Sequence, residues 1–452
     1  MLRPLPIRLD VPGAYRAKAR YALEELLRGM GLVPVEGGDP LLVYGPDPLP
    51  GALHVPLAPD AAAFFAGRGA YDPARAAWRG GVPVLFGTAD APDAVASAFF
   101  WLSGWQEVTS AARDEHGRFP FADSLQARWG LAIVPVVDAV RDALADALRR
   151  HGVDVPGRTW GGRSWAFCPT CDVDYVRKWR PGILKRELLE RALLNREREP
   201  AAARLGRVGA AVRGLVTTGD PYRSALDRMP REIAAREGTG TFFFKAAARD
   251  AHDVPYRLGP LRPYAGRLRA KGFEVGLHPS YAAFDRPDWL VAERDRITQA
   301  FGTAPSSVRG HYLRYAPGAT HRLHEAAGFR LDSTLGWAEH EGFRHATTHP
   351  FRPYDLDADR PSAVWEFPLA LMDGAVFRRR ALGPDGARAA TRAVFDAARR
   401  HGGVAVGLWH NVLWDEVDAP GWAAHFTDAL DAANSGGARV ASLQHALDAW
   451  LA

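Results

Sequence analysis

The sequence predicts an α/β protein in which a small N-terminal α/β domain precedes a closed or nearly closed (β/α) barrel of seven or eight units. Three observations carry this reading. The chain has 452 residues, more than one average domain. From residue 160 onward, apolar strand candidates recur near residues 166, 243, 275, 308, 331, 366, 406 and 440, most of them separated by helical patterns. That rhythm belongs to parallel βα units, and so many in succession favour closure. Before residue 155, shorter apolar runs alternate with helical stretches in a weaker version of the same pattern.

Taken in order, "LLVYG" (41–45) and "VPVLFG" (82–87) read as strands, while 15–30, 90–102 and 136–151 read as helices. The Gly- and Arg-rich "HGVDVPGRTWGGRS" (151–164) reads as a linker, which sets the domains at 1–155 and 160–452. Residues of about 177–236 interrupt the barrel rhythm and read as a helical insertion. Ile183, Leu184, Leu188, Leu189, Ala192 and Leu193 would form its apolar face. Residues 177–213 hold eleven basic and four acidic side chains. A solvated helical face accounts for this better than a nucleic-acid surface, because Trp179 is the one aromatic among them and none is interleaved along the rest for base stacking.

Hydrophobic residues at 47% and charged residues at 24% describe a folded globular chain, with no run long enough to span a membrane. The formal charge of +5 is small beside 57 basic and 52 acidic side chains, so neither nucleic acid nor a membrane is an expected partner. The N-terminus has no apolar core between a basic start and a cleavage site, so the expected location is cytoplasmic. Cys168 and Cys171 form one CxxC; with no second pair, and with the two thiols on opposite faces of a strand, both read as plain strand residues.

Chemistry is expected at the strand ends, where such barrels keep it. "AFCPTCDVDY" runs an apolar strand into Asp172 and Asp174, which period-two geometry places on one side. The pair asks for a cation or a proton relay, although a capping or arginine-paired role stays open. "GFEVGLHPSY" ends in His278, "SSVRGHYLRY" in Arg309, His311 and Arg314, "GFRLDS" in Asp332, and "GVAVGLWHN" in His410 and Asn411. Several such groups converging on one mouth point to a site. Asp250, His252 and Asp253 either line the mouth or form a polar loop. His340, His345 and His349 read as surface or substrate-contact residues.

These motifs, in this order, resemble the polysaccharide deacetylases of carbohydrate esterase family 4. The likeness covers roughly residues 160–450. The family's aspartate pair is similar to "TCDVD", its histidine turn to "GLHPSY", its base-orienting arginine to Arg309 in "RGHYLRY", and its late leucine and histidine to "LWH". The fuller wording ("GDPY", "GFRHATTHPFRPYDL", "LWHN") resembles a bacterial subgroup with an additional N-terminal domain.

The resemblance implies a distorted (β/α) barrel and a hydrolase acting on C–N bonds other than peptide bonds. Such an enzyme removes an acyl group, foremost N-acetyl, from an amino sugar or its polymer. It implies Asp172 as base, Arg309 as its orienting partner, His410 as acid, and Asp174 and His278 as ligands of a divalent metal, zinc before nickel or cobalt. Position 282, where the family has a second histidine, is Ala282. His311 is the candidate replacement, with Ser280 or an added water behind it. Tyr281, through its backbone amide, Arg314, Asn411 and Trp409 are the expected substrate contacts. Two alternatives stay open: a non-catalytic carbohydrate-binding barrel with a degenerate metal site, and a hydrolase of small non-sugar amides.

Overall fold

Alternation along the strands decides which residues line the barrel and which face the helices around it. The computed structural model describes residues 2–194, 200–216, 219–248 and 250–452. The strands of the curled parallel sheet are β1 (Ala166–Val173), β2 (Thr241–Lys245), β3 (Glu274–His278), β4 (Ser307–Val308), β5 (Leu331–Asp332), β6 (Trp365–Glu366), β7 (Leu369–Met372) and β8 (Val404–His410). They pair in the order β6-β5-β4-β3-β2-β1-β8-β7. Only Phe367 and Pro368 separate the two ends of that path in the chain, so β6 and β7 are halves of one stave. The pairing thus runs round a distorted (β/α) barrel of seven staves. A ninth strand, β9 (Arg439–Val440), wedges beside the start of β1, where β2 has not yet begun.

Ala166, Cys168, Phe243, Leu331, Val404, Val406 and Leu408 pack together inside the barrel. Phe167, Val173, Phe242, Phe244, Val275, Leu277 and Trp409 pack outward with helix residues such as Met229, Ile297 and Phe426. Both cysteines are free, Cys168 on the inner face and Cys171 on the outer.

Before the barrel, Leu32–Glu36, Arg3–Leu9, Leu42–Gly45 and Leu53–Pro56 form a second parallel sheet in that order. Of the two strands expected here, only the first joins it. Val82–Val84 instead pairs antiparallel with Ala77–Arg79, because Gly80 and Gly81, at φ 57° and 79°, make the tight turn that a hairpin needs. Besides the short Ala77–Arg79, three strands of the parallel sheet escaped the sequence reading because Pro4, Pro6 and Pro34 interrupt them or, as Pro56 does, end them. Arg3–Leu9 tolerates its prolines because its pairing with Leu42–Gly45 begins only at Ile7. The expected helices are present as Gly13–Gly29, Ala94–Leu102 and Val136–Arg150.

The insertion is helical where it is described: Pro181–Leu184, Lys185–Leu193 with π-helical bonding, Ala201–Val216 and Pro221–Ala234. Its expected apolar face is not buried as a unit. Leu189 and Leu193 are 40% and 68% exposed, and only Ala192 of the six is buried. Residues 195–199 and 217–218 of the insertion lie outside the described residues. Among the described residues no helix is long and apolar enough to cross a membrane.

The two sheets share one apolar core, in which Tyr315, Leu335, Phe351 and Tyr354 of the barrel's loops pack with Tyr21, Phe99 and Trp105. His345 and His349 of the 340–349 segment belong to this seam rather than to the surface or a substrate contact, while His340 stacks on Phe121 and stays partly exposed. His345 Nδ1 meets the Leu102 carbonyl at 3.2 Å, and His349 lies between Asp138 and Arg141. Arg344 forks onto Glu107 at 2.7 and 2.6 Å with both side chains buried. Removing one partner of a buried ion pair strands the other charge. Glu107→Ala is therefore expected to lower stability by about 3–5 kcal/mol, measured by urea denaturation; an unchanged midpoint would remove this pair from the account.

Candidate metal centre and active site

The inner face of each stave delivers its last residues to one mouth. On β1, Thr170, Asp172 and Asp174 continue the parity of Ala166 and Cys168. On β8, His410 continues that of Val404, Val406 and Leu408, and it stands in register beside Asp172. Lys245 and His278, at the ends of β2 and β3, are likewise register partners. Crowding inside is met at Gly276, where a Cβ would come within 2.5 Å of the Phe243 ring and 2.6 Å of Ser307 Oγ.

Asp174, His278 and His311 turn ligand atoms toward one point. Asp174 Oδ1 lies 3.6 Å from Nε2 of both histidines. A direct hydrogen bond would sit near 2.9 Å, whereas three ligands at zinc bond lengths leave edges of roughly 3.3–3.4 Å between them. Asp174 Oδ1 and His278 Nε2 are both buried without a hydrogen-bond partner among the described residues. His278 Nδ1 is 2.7 Å from the Arg309 carbonyl, which takes its proton and turns the Nε2 lone pair to the mouth. His311 Nδ1 is 2.9 Å from Asp253 Oδ1, an ion-pair contact without hydrogen-bond alignment, and its Nε2 lies toward Asp174. The donor set, two imidazoles and a carboxylate with room for water, therefore fits a divalent ion such as zinc.

Electrostatics make the same demand. Burial opposes ionisation of Asp174, but His278, His311, His410 and Lys245 around it hold its carboxyl well below the usual range. Burial also disfavours a charged His278, yet Asp172 and Asp174 win and raise its pKa. For His311 burial prevails over Asp253, and the ring is pushed toward the neutral, ligating form.

The turn that brings His311 in is strained, with Tyr312 and Leu313 at φ 61° and 54°. Arg118, from the N-terminal part of the chain, braces it by donating to the Tyr312 carbonyl at 2.7 Å while bridged to Asp114. Ser280 takes no part: its Oγ and amide both donate to Glu293, at 2.5 and 2.7 Å.

Arg309 is fully buried, donating to Thr170 Oγ1 at 2.6 Å and to the Ser333 carbonyl at 2.9 Å, with Nη1 3.5 Å from Asp172 Oδ1. His410 Nδ1 meets Asp373 Oδ1 at 2.7 Å and its amide donates to Oδ2 at 2.6 Å. Burial opposes the imidazolium, but Asp373, with Asp174 and Asp172 beyond, lifts the ring to about 9.

None of the four residues expected to contact substrate lines the cavity above these groups. Trp409 has the opposite parity to His410 and is buried against Phe167 and Phe426. Asn411 ties down the Tyr175 and Tyr222 carbonyls. Arg314 donates to the carbonyls of His116 and Tyr281 and lies over the Tyr281 ring. The Tyr281 amide is already donated to Asp253 at 2.7 Å, so it does not point at the mouth. Asp332 faces outward and forms a separate buried cluster with His321, His324 and Glu366. The cavity, of 630 Å³, is walled instead by Tyr175, Tyr222, His252, Tyr312 and several arginines.

Lys245 and Asp373 were missed as site residues, and Asp253, left open between the mouth and a polar loop, stands beside His311. Lys245 and Asp373 carried the signal that revealed Asp172, a charge ending an apolar strand: "TFFFK" and "LALMD". Lys245 Nζ lies 3.8 Å from Asp174 and 3.7 Å from Asp253.

A family of unknown function (DUF7033) matches residues 39–152. The comparison with curated proteins finds no match. Solved structures similar to the chain include a Mycobacterium smegmatis protein assigned as a polysaccharide deacetylase, at 19% identity and a TM-score of 0.42, covering 66% of this chain and 92% of that one. The chitin deacetylase of Colletotrichum lindemuthianum has 13% identity and a TM-score of 0.33, covering 64% and 89%. A carbohydrate esterase family 4 pseudoenzyme from Bacillus anthracis has 12% identity and a TM-score of 0.30, covering 64% and 67%. Likenesses this distant add no argument to the geometry above.

Purified protein is expected to bind one equivalent of zinc, cobalt or nickel at the mouth, and His278→Ala to lose it. Arg118→Met, which removes the brace on the His311 turn together with the Asp114 bridge, should weaken affinity by about tenfold, read by competition with a fluorescent chelator. Equal affinity in Arg118→Met would detach the N-terminal part from the site.

Proposed function

We propose that this chain is a metal-dependent amide hydrolase that removes an acyl group, foremost N-acetyl, from a carbohydrate. The observation that carries the reading is the pairing, across adjacent staves, of an arginine-tethered carboxylate (Asp172) with an aspartate-bound imidazole (His410), beside a three-ligand metal set. That is a base, an acid and a Lewis-acid position within one cavity.

Asp174, His278 and His311 would hold the ion, which when bound polarises the acyl carbonyl and makes water more acidic. Asp172 takes the proton of the attacking water, whose oxygen forms the new bond to the carbonyl carbon. Arg309, with Nη1 3.5 Å from Asp172 Oδ1, aims it. His410 gives its proton to the nitrogen as the C–N bond breaks, so one amide and one water become one amine and one carboxylic acid. Lys245, a buried cation beside Asp174, adds positive potential where the carbonyl oxygen gains charge. Residues 1–155 serve as an accessory domain that completes the mouth through Arg118.

Asp172→Ala and His410→Ala are each expected to reduce acetate release from N-acetylated sugars by about 10²-fold or more while retaining the metal. Release confined to small non-sugar amides would move the assignment to that class. Loss of metal in both variants would contradict the roles given. As acid, His410 must be protonated, so activity falls as pH rises through its pKa of about 9. Asp373→Asn removes the charge that raises that pKa, and should move the alkaline limb of the kcat/KM profile to lower pH. An unmoved limb would take the acid role away from His410.

A further inference from the structure

The arginines of the cavity wall outnumber what the hydrolysis needs. Seven basic side chains line the cavity against three carboxylates, Asp172, Asp174 and Asp418. The last is already committed, since Lys178, Arg191 and Arg207 meet it at 2.7, 3.0 and 2.6 Å. Asp172 and Asp174 belong to the reaction centre. Arg118 is bridged to Asp114 and Arg186 to Glu187. Arg180 and Arg378 remain, each without a counter-ion among the described residues, and Arg379 approaches only the exposed Glu115, at 3.9 Å.

Arg180 is held in place without being neutralised. Its guanidinium lies over the Tyr175 ring at 4.5 Å, and its Nε is buried with no acceptor among the described residues. Arg378 comes from the segment after β7 and Arg180 from the start of the insertion, so two separate parts of the chain bring uncompensated charge to one rim. Guanidinium forks match phosphate and carboxylate oxygens two at a time. Like charges gathered round a cavity also draw anions in from solution.

We propose that the acylated sugar bears an anionic group, a phosphate or a carboxylate, which Arg180 and Arg378 hold at the rim while the acyl group reaches the metal centre. This rests on the hydrolase reading above and narrows its substrate from carbohydrates at large to acidic ones. The basic bias of the insertion then has a use at its cavity end.

The test uses the full-length, metal-loaded protein and three probes: N-acetylglucosamine 1-phosphate, N-acetylmuramic acid and neutral chitotetraose. Binding is followed by calorimetry and turnover by acetate release. One or both anionic sugars should bind and react at least tenfold better than chitotetraose, as expected of a charge-assisted contact. The advantage should shrink between about 50 and about 500 mM salt. The better of the two anions names the source of the charge. Arg180→Met and Arg378→Met should each raise KM for that sugar by roughly tenfold, leaving kcat and the chitotetraose reaction unchanged. Preferred turnover of chitotetraose, or arginine variants with unaltered KM, would overturn the proposal and leave the hydrolase standing. Arginine-dependent binding of an anionic sugar with no acetate released from any probe would overturn the hydrolase and leave the anion site.

Discussion

Asp172 and Asp174 carry two carboxylates into the mouth of an apolar barrel, and the surrounding site is built to meet their charge. A bare carboxylate out of water costs far more than one strand's packing returns, so each needs a partner. Arg309 answers Asp172. Asp174 is answered by His278, His311, His410 and Lys245, all within 4 Å. Under the proposed function a divalent ion held by Asp174, His278 and His311 would complete the balance, and the 3.6 Å spacings from Asp174 to the two histidines leave space for it. The acid and base roles proposed for His410 and Asp172 go with that placement.

Much of this was legible in the chain because strand alternation is a rigid rule. Period two put Asp172 with Asp174, Arg309 with His311 and His410 opposite Trp409, and apolar runs located each stave. The same rule, applied strictly, would have turned Trp409 and Asp332 away from the mouth. What alternation could not supply was loop conformation. His311 reaches the metal set through two left-handed residues that nothing in "GHYLRY" announces, and the Tyr281 amide is spent on Asp253 by a contact 28 residues distant. Prolines hid three strands of the N-terminal sheet, since a proline is tolerated wherever its missing N–H faces an unpaired side.

The N-terminal part gains a physical role from two kinds of contact. Buried pairs such as Arg344–Glu107 and a shared aromatic core join it to the long loops after β4 and β5. Arg118 extends that seam to the reaction centre by holding the strained turn beside His311. His311, the third ligand proposed above, thus depends on a segment outside the barrel. Arg118 also lines the cavity that Arg180 of the insertion and Arg378 of the segment after β7 line.

The central claim is a location, so a crystal of the zinc-soaked protein measured on both sides of the zinc absorption edge tests it most directly. One anomalous peak is expected within coordination distance of Asp174, His278 and His311, with Asp172 and His410 outside the coordination sphere. A peak bound elsewhere, for instance at His321, Asp332 and Glu366, with none at the barrel mouth would contradict the account.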